Sequence, residues 1–155
     1  MNVEYINPFI KSVDTYFEDT LKATVTQGDL GVSKGDVNPR EFAAIVGFNG
    51  VVQGIIAMFF PIKTALGITS KVSAKQVVIV DDKVTDTIAS VILNVVKEAK
   101  DNFPTDDVNA IQVTNAAVLR GSEFSEKYPG GVWLEMPFNC KLGEFKLRVA
   151  LQKTD

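Results

Sequence analysis

Asp86, Ser90, Leu93 and Lys97 stand four, three and four residues apart, a spacing that brings them to one side of an α-helix. A carboxylate, a hydroxyl and an ammonium on such a face could bind a charged partner or position a water molecule. A leucine can do neither, and it is the odd member of the set. Glu98 with Asp101 or Asn102 forms a second carboxylate–polar set one to two turns further on, and reads as a solvated helix end. The chemistry open to the chain is narrow, because it contains no histidine. That excludes Ser-His-Asp and Cys-His nucleophiles, histidine acid–base catalysis and the usual zinc sites. The single cysteine, Cys140, alternates in phase with Val132, Leu134, Met136 and Phe138, the pattern of a small core residue rather than a reactive thiol. Any catalysis must come from carboxylates, amides, lysines, hydroxyls or a bound magnesium.

The element that positions the first set spans residues 82–102, DKVTDTIASVILNVVKEAKDN. Behind the polar face run Val84, Ile88, Val91, Ile92, Val95, Val96 and Ala99, a stripe wide enough to cover a sheet. A first helix is expected over 7–21, with Asn7 as N-cap, Pro8 at the first helical position and a stripe through Phe9, Val13 and Phe17. Residues 22–37 hold a short strand-like piece at Val25, broken by Gly28, Gly31 and Gly35. These glycines do not form a phosphate loop, since the GxxxxGK[ST] order is absent. Apolar runs at 42–48 and 51–60 flank Asn49-Gly50, a strong hairpin signal, and the second run is apolar enough to be central in its sheet. Pro61 opens a short helix over 62–70, and residues 77–80 fit either a buried strand or an apolar lead into the long helix. Three more strands follow at 110–119, 132–140 and 145–152, with Trp133 on the strand face opposite Leu134, suited to a core layer beneath a loop or to a dimer interface. The order predicts an α+β fold: an antiparallel sheet of about six strands with two long helices packed on one face, arranged as a loose αβββ internal repeat.

A chain of 155 residues with 46% hydrophobic content is expected to form a single domain with a substantial core. A net charge of −3 with no basic block argues against nucleic acid. The longest apolar runs fall far short of the roughly 20 residues that span a bilayer, so no membrane partner is expected. The opening MNVEYINPF carries Glu4 and no basic residue, unlike a secretory signal, and a lone cysteine fits a reducing cytoplasm.

Several strings, taken in order and spacing, resemble the CheX/CheC family of chemotaxis phosphatases, in particular its CheX-like members, over nearly the whole chain. They are VEYINPFIKSV, FAAIVGFNGVVQGIIAMFF, TALGITSKV, DDKVTDTIASVILNVVKEAK, and VWLEMPF with FKLRVAL. The resemblance implies a CheC-like fold, cytoplasmic two-component signalling, and a CheY-like response-regulator receiver as partner. It implies no cofactor of the chain's own, with any magnesium arriving on the receiver, and a homodimer formed by joining sheets. The family removes phosphate from the receiver's phosphoryl-aspartate. Its pattern is an Asp or Ser, a Glu four residues on, an Asn three beyond that, and a proline well downstream. The carboxylate can engage a receiver lysine, and the amide can orient the attacking water, as a glutamine does in GTPases.

Here Asp86 holds the leading position, but Ser90 stands for the glutamate and Leu93 for the asparagine, and Thr114-Asn115-Ala116 supplies no proline. Sliding the register to use Asn94 puts Val91 at the carboxylate position and turns the face into the core. Paired catalytic groups act as a unit, so the expectation is a degenerate active site and a receiver-binding face formed by Asp86, Ser90, Leu93 and Lys97. Two alternatives stay open: a receiver phosphatase using other groups, such as Glu98 or Ser90, and a structural homodimer whose sheet edges must be covered. Glu4-Tyr5-Ile6-Asn7 is a literal ExxN where CheC-type members carry a motif on the first helix. Pro8 disfavours α conformation at Asn7, which is therefore read as a cap.

Overall fold

The computed structural model describes residues 3–33, 37–104 and 108–154. Its sheet grows from the hairpin of β3 (Phe42–Asn49) and β4 (Val52–Phe60). Gly50, in the turn, has φ +116°, where a side chain would run into the Ala110 carbonyl. On its other side β4 pairs with β8 (Gly143–Lys153), so the apolar second strand is central, as its composition predicts. β8 pairs in turn with β7 (Trp133–Cys140). The outer flank of β7 carries β1 (Thr26–Gln27) and β2 (Gly31–Ser33), and that of β3 carries β5 (Gln112–Val113) and β6 (Ala117–Arg120). All pairings are antiparallel, with eight strands among the described residues against about six expected. The excess arises because both outer strands are broken in two. At the expected strand 110–119, the Thr114 hydroxyl accepts from Gly47 N at 2.9 Å, so a side chain interrupts the ladder.

Taking each broken edge as one strand, the chain reads αβββ twice. The first strand of each half crosses to pair with the second strand of the other: β1 and β2 on β7, β5 and β6 on β3. The third strands, β4 and β8, meet in the middle. The loose repeat of the sequence is thus a real exchange of edges between halves.

Helices α1 (Ile6–Asp19), α2 (Ile62–Ser73) and α3 (Asp82–Asp101) bury their apolar residues with one face of the sheet. α1 starts earlier than expected. A 3-10 turn (Val3–Tyr5) leads in, Tyr5 holds the N-cap position, and Asn7 and Pro8 both lie inside the first turn. The cap reading of Asn7 is therefore wrong: in the first turn a proline's missing N–H costs nothing, and the helix runs through it. All seven stripe residues of α3 are buried, and the Asp81 carboxylate caps the helix by accepting from Lys83 N and Val84 N. The Ser12 hydroxyl of α1 donates to the Val95 carbonyl of α3 at 2.6 Å, joining the two long helices in the core. Residues 77–80 form no strand. The Ser70 hydroxyl accepts from Val77 N, and Val77 and Val80 lean on the core while Val78 and Ile79 face solvent.

The opposite face carries an element not expected from the sequence, α4 (Gly121–Lys127). It rests on one buried side chain, Phe124, whose ring meets Phe59 at 4.9 Å and Trp133 at 5.6 Å. Trp133 is accordingly core, 3% exposed beneath α4 and Tyr128. Cys140 is half-buried against the main core, whereas Val132 lies outside the strand and is exposed.

Candidate functional site

The spacing of Asp86, Ser90, Leu93 and Lys97 does what it promises: all four are exposed on the outward face of α3. Leu93 is 37% exposed, so an isobutyl group meets water between charges. Asn94, which the sequence reading sets aside because its register turns the face into the core, lies on this surface. It is exposed too, and its Nδ2 donates to the Ser90 carbonyl at 2.8 Å and approaches the Ser90 hydroxyl at 3.3 Å. Ser90 thus stands between two neighbours: Asn94 about 40° round the helix and Leu93 about 60° round in the other direction. The signal was present as a four-residue polar stripe, Asp86, Ser90, Asn94 and Glu98. Val91, three residues before Asn94, is buried, so this amide has no carboxylate at the spacing the phosphatase pattern requires.

Tyr16 of α1 lies half-buried between two shallow grooves along this face. One is shared with Val72, Lys83, Asp86 and Ser90. The other is shared with Asp19, Asn94, Lys97 and Glu98. Burial pushes the Tyr16 phenol above its ordinary pKa, so it offers a neutral hydroxyl. Glu98, Asp101 and Asn102 are exposed, with Asn102 Nδ2 donating to the Glu98 carbonyl at 3.0 Å, a helix-end arrangement. Glu4 and Asn7 are both exposed at the start of α1, across the junction of the 3-10 turn and the helix. Thr114-Asn115-Ala116 occupies the gap between β5 and β6. Among the described residues no three His, Cys, Asp or Glu side chains gather as metal ligands, and no helix is long and apolar enough to cross a membrane.

No family model matches the chain, and no curated protein matches it in sequence. Solved structures do match. A CheC-like superfamily protein from Shewanella sp. PV-4 superposes with a TM-score of 0.80 at 21% identity, covering 98% of this chain and 99% of the other. The chemotaxis protein CheX from Vibrio vulnificus gives 0.80 at 16% identity, over 97% and 100%. The chain has the CheX/CheC fold. A CheX–CheY–BeF3–Mg2+ complex from Borrelia burgdorferi contains a further chain of this fold, with a TM-score of 0.72 and 22% identity over 98% and 100%. In this fold the outward face of α3 is open to solvent, and at its middle the Ser90 hydroxyl is approached by the Asn94 amide, with Asp86, Lys97 and Glu98 exposed nearby.

Proposed function

We propose that the chain serves in chemotaxis or a related two-component pathway by docking on a CheY-like receiver through the outward face of α3, without removing the receiver's phosphoryl group. The observation that carries this reading is Leu93, exposed in the middle of a face that also bears Asp86 and Lys97. An apolar contact ringed by charge suits a protein interface, where the apolar group supplies affinity and the rim supplies register. The CheX–CheY complex formed on this fold supports a receiver as the partner. The absence of chemistry follows from Ser90 and Leu93: a hydroxyl cannot engage a receiver lysine as a carboxylate does, and leucine cannot orient water. Any magnesium belongs to the receiver, and the setting is the cytoplasm.

Two measurements test the reading. Binding to a beryllofluoride-loaded receiver should be detectable, and Leu93→Asp should weaken it at least tenfold; absence of binding to every receiver of the same genome would overturn the docking role. The decay of phosphorylated receiver should be unchanged by the protein, and an accelerated decay would overturn the non-catalytic part. In that case Asn94, exposed beside Ser90, is the group to suspect, and Asn94→Ala should abolish the acceleration. A second reading concerns assembly. Leu30 and Val32, 43% and 64% exposed at the β2 edge, favour a homodimer in which two copies cover this edge.

A further inference from the structure

On the sheet face away from the long helices, the lead into β3, the end of β4 and the facing ends of β7 and β8 border a recess of about 190 Å³. Phe59, Pro61 and Pro137 give it apolar walls, and Glu41, Glu144 and Lys146 its charged groups. Glu41 is only 7% exposed, and its Oε1 is buried with no hydrogen-bond partner among the described residues. A buried acceptor without a donor is costly, the more so when it carries charge.

Neither nearby cation hydrogen-bonds that Glu41 oxygen. Arg148 Nε donates to Glu135 Oε1 at 2.8 Å, and Lys146 Nζ lies 3.8 Å from the same oxygen. Burial pushes the Glu41 carboxyl above its ordinary range, helped by Glu144 and Glu135, while Lys146 and Arg148 pull the other way without prevailing. The charged groups around the recess are therefore three acids, Glu41, Glu135 and Glu144, against two bases, Lys146 and Arg148. An anion would have to compete for Lys146 and Arg148 with Glu135, which both already approach. A neutral apolar guest would leave Glu41 unserved. A metal ion would need more ligands than this recess gathers among the described residues.

We propose that this recess binds a small alkylammonium ion, with the charge on Glu41 and the hydrocarbon stem along Phe59, Pro61 and Pro137. The recess is smaller than the roughly 300 Å³ at which drug-sized sites begin, which restricts the guest to a short chain. A free amine and the ε-ammonium of a lysine side chain share this chemistry.

The test is an NMR titration of the full chain, following the backbone amides of Glu41, Phe59, Glu144 and Lys146, with n-butylammonium, 1-butanol and N-acetyl-lysine methylamide as separate probes. n-Butylammonium should give saturable shifts at these amides, and 1-butanol should be at least tenfold weaker. Glu41→Gln should reduce n-butylammonium affinity tenfold or more. If the acetyl-lysine probe shifts the same amides, the recess admits a lysine side chain; if only n-butylammonium does, its guest is a free amine, and either result upholds the site. No saturable shift with n-butylammonium, or an equal response to 1-butanol, overturns it. Should Glu41→Gln fail to fold, the comparison of ammonium with alcohol on the unaltered chain decides alone.

Discussion

Leu93 and Ile88 sit on the same helix, five residues apart, in opposite surroundings. Ile88 is fully buried, whereas Leu93 is 37% exposed. Ile88→Ala should therefore cost about 2–5 kcal/mol through lost burial and the cavity left behind. Leu93→Ala should stay within about 0.5 kcal/mol, as surface changes usually do. Urea midpoints with an unchanged denaturant slope would check both, and a large loss at Leu93 would mean it is core after all. Glu41 supports a prediction of a different kind. Its folded pKa lies above the ordinary 4.5, so the native chain binds more protons than the unfolded chain in the window above that value. Glu41 thus lowers stability as pH rises through that window, and a residue that cannot titrate escapes the loss. Glu41→Gln should gain stability relative to the unaltered chain from about pH 4 upward, levelling off once Glu41 is ionised. Paired urea unfolding curves across that range would show it, and a difference independent of pH would refute it.

At the level of elements, what could be read from the sequence depended on how many residues carried each signal. α3 was legible because seven apolar residues repeat over 20 positions, although its Asp81 cap was not read from the sequence. α4 was not, because Phe124 is its single large apolar anchor in seven residues and no period can form. The broken edges were equally hidden: Thr114 interrupts a ladder by a contact with Gly47, 67 residues away, which local pattern cannot show. Asn94 was set aside for a related reason. The phosphatase pattern pairs it with Val91, which does face the core, while the exposed surface of the helix also follows a step of four from Ser90 to Asn94. The cap of α3 allows a direct check. Asp81 accepts from Lys83 N at 3.0 Å and from Val84 N at 3.4 Å, and its charge also favours the helix N-terminus. Asp81→Ala should cost about 0.5–2 kcal/mol, with Asp81→Asn keeping most of the cap. Equal losses for the two variants would show that charge, not the hydrogen bonds, is what Asp81 contributes.

The whole molecule is an exchange between two halves, and that exchange determines where it is exposed. Each half lends its first strand to the other, so the two flanks of the sheet are its most broken strands: β1 with β2, and β5 with β6. Broken edges blunt the tendency of a sheet to pair with another copy, but the two flanks are not equally guarded. β6 leads directly into α4, and Arg120 at its end lies 4.3 Å over the Phe42 ring. On the other flank Val32 of β2 is 64% exposed, with Leu30 just before the strand also open. Among the described residues β2 pairs only with β7; apolar side chains on such an edge are disfavoured in water, and a second copy laid antiparallel would cover them and pair with the edge backbone. Sedimentation velocity should accordingly show a dimer for the unaltered chain. Val32→Lys should shift it to monomer at the same concentration, because two lysines would face each other across a two-fold edge. The outward face of α3 lies on the helical layer, not on this strand, so the monomeric variant should bind the receiver as before. A Val32→Lys chain that stays dimeric would place the contact elsewhere, and one that loses receiver binding with dimerisation would mean that the docking face is completed by the second copy.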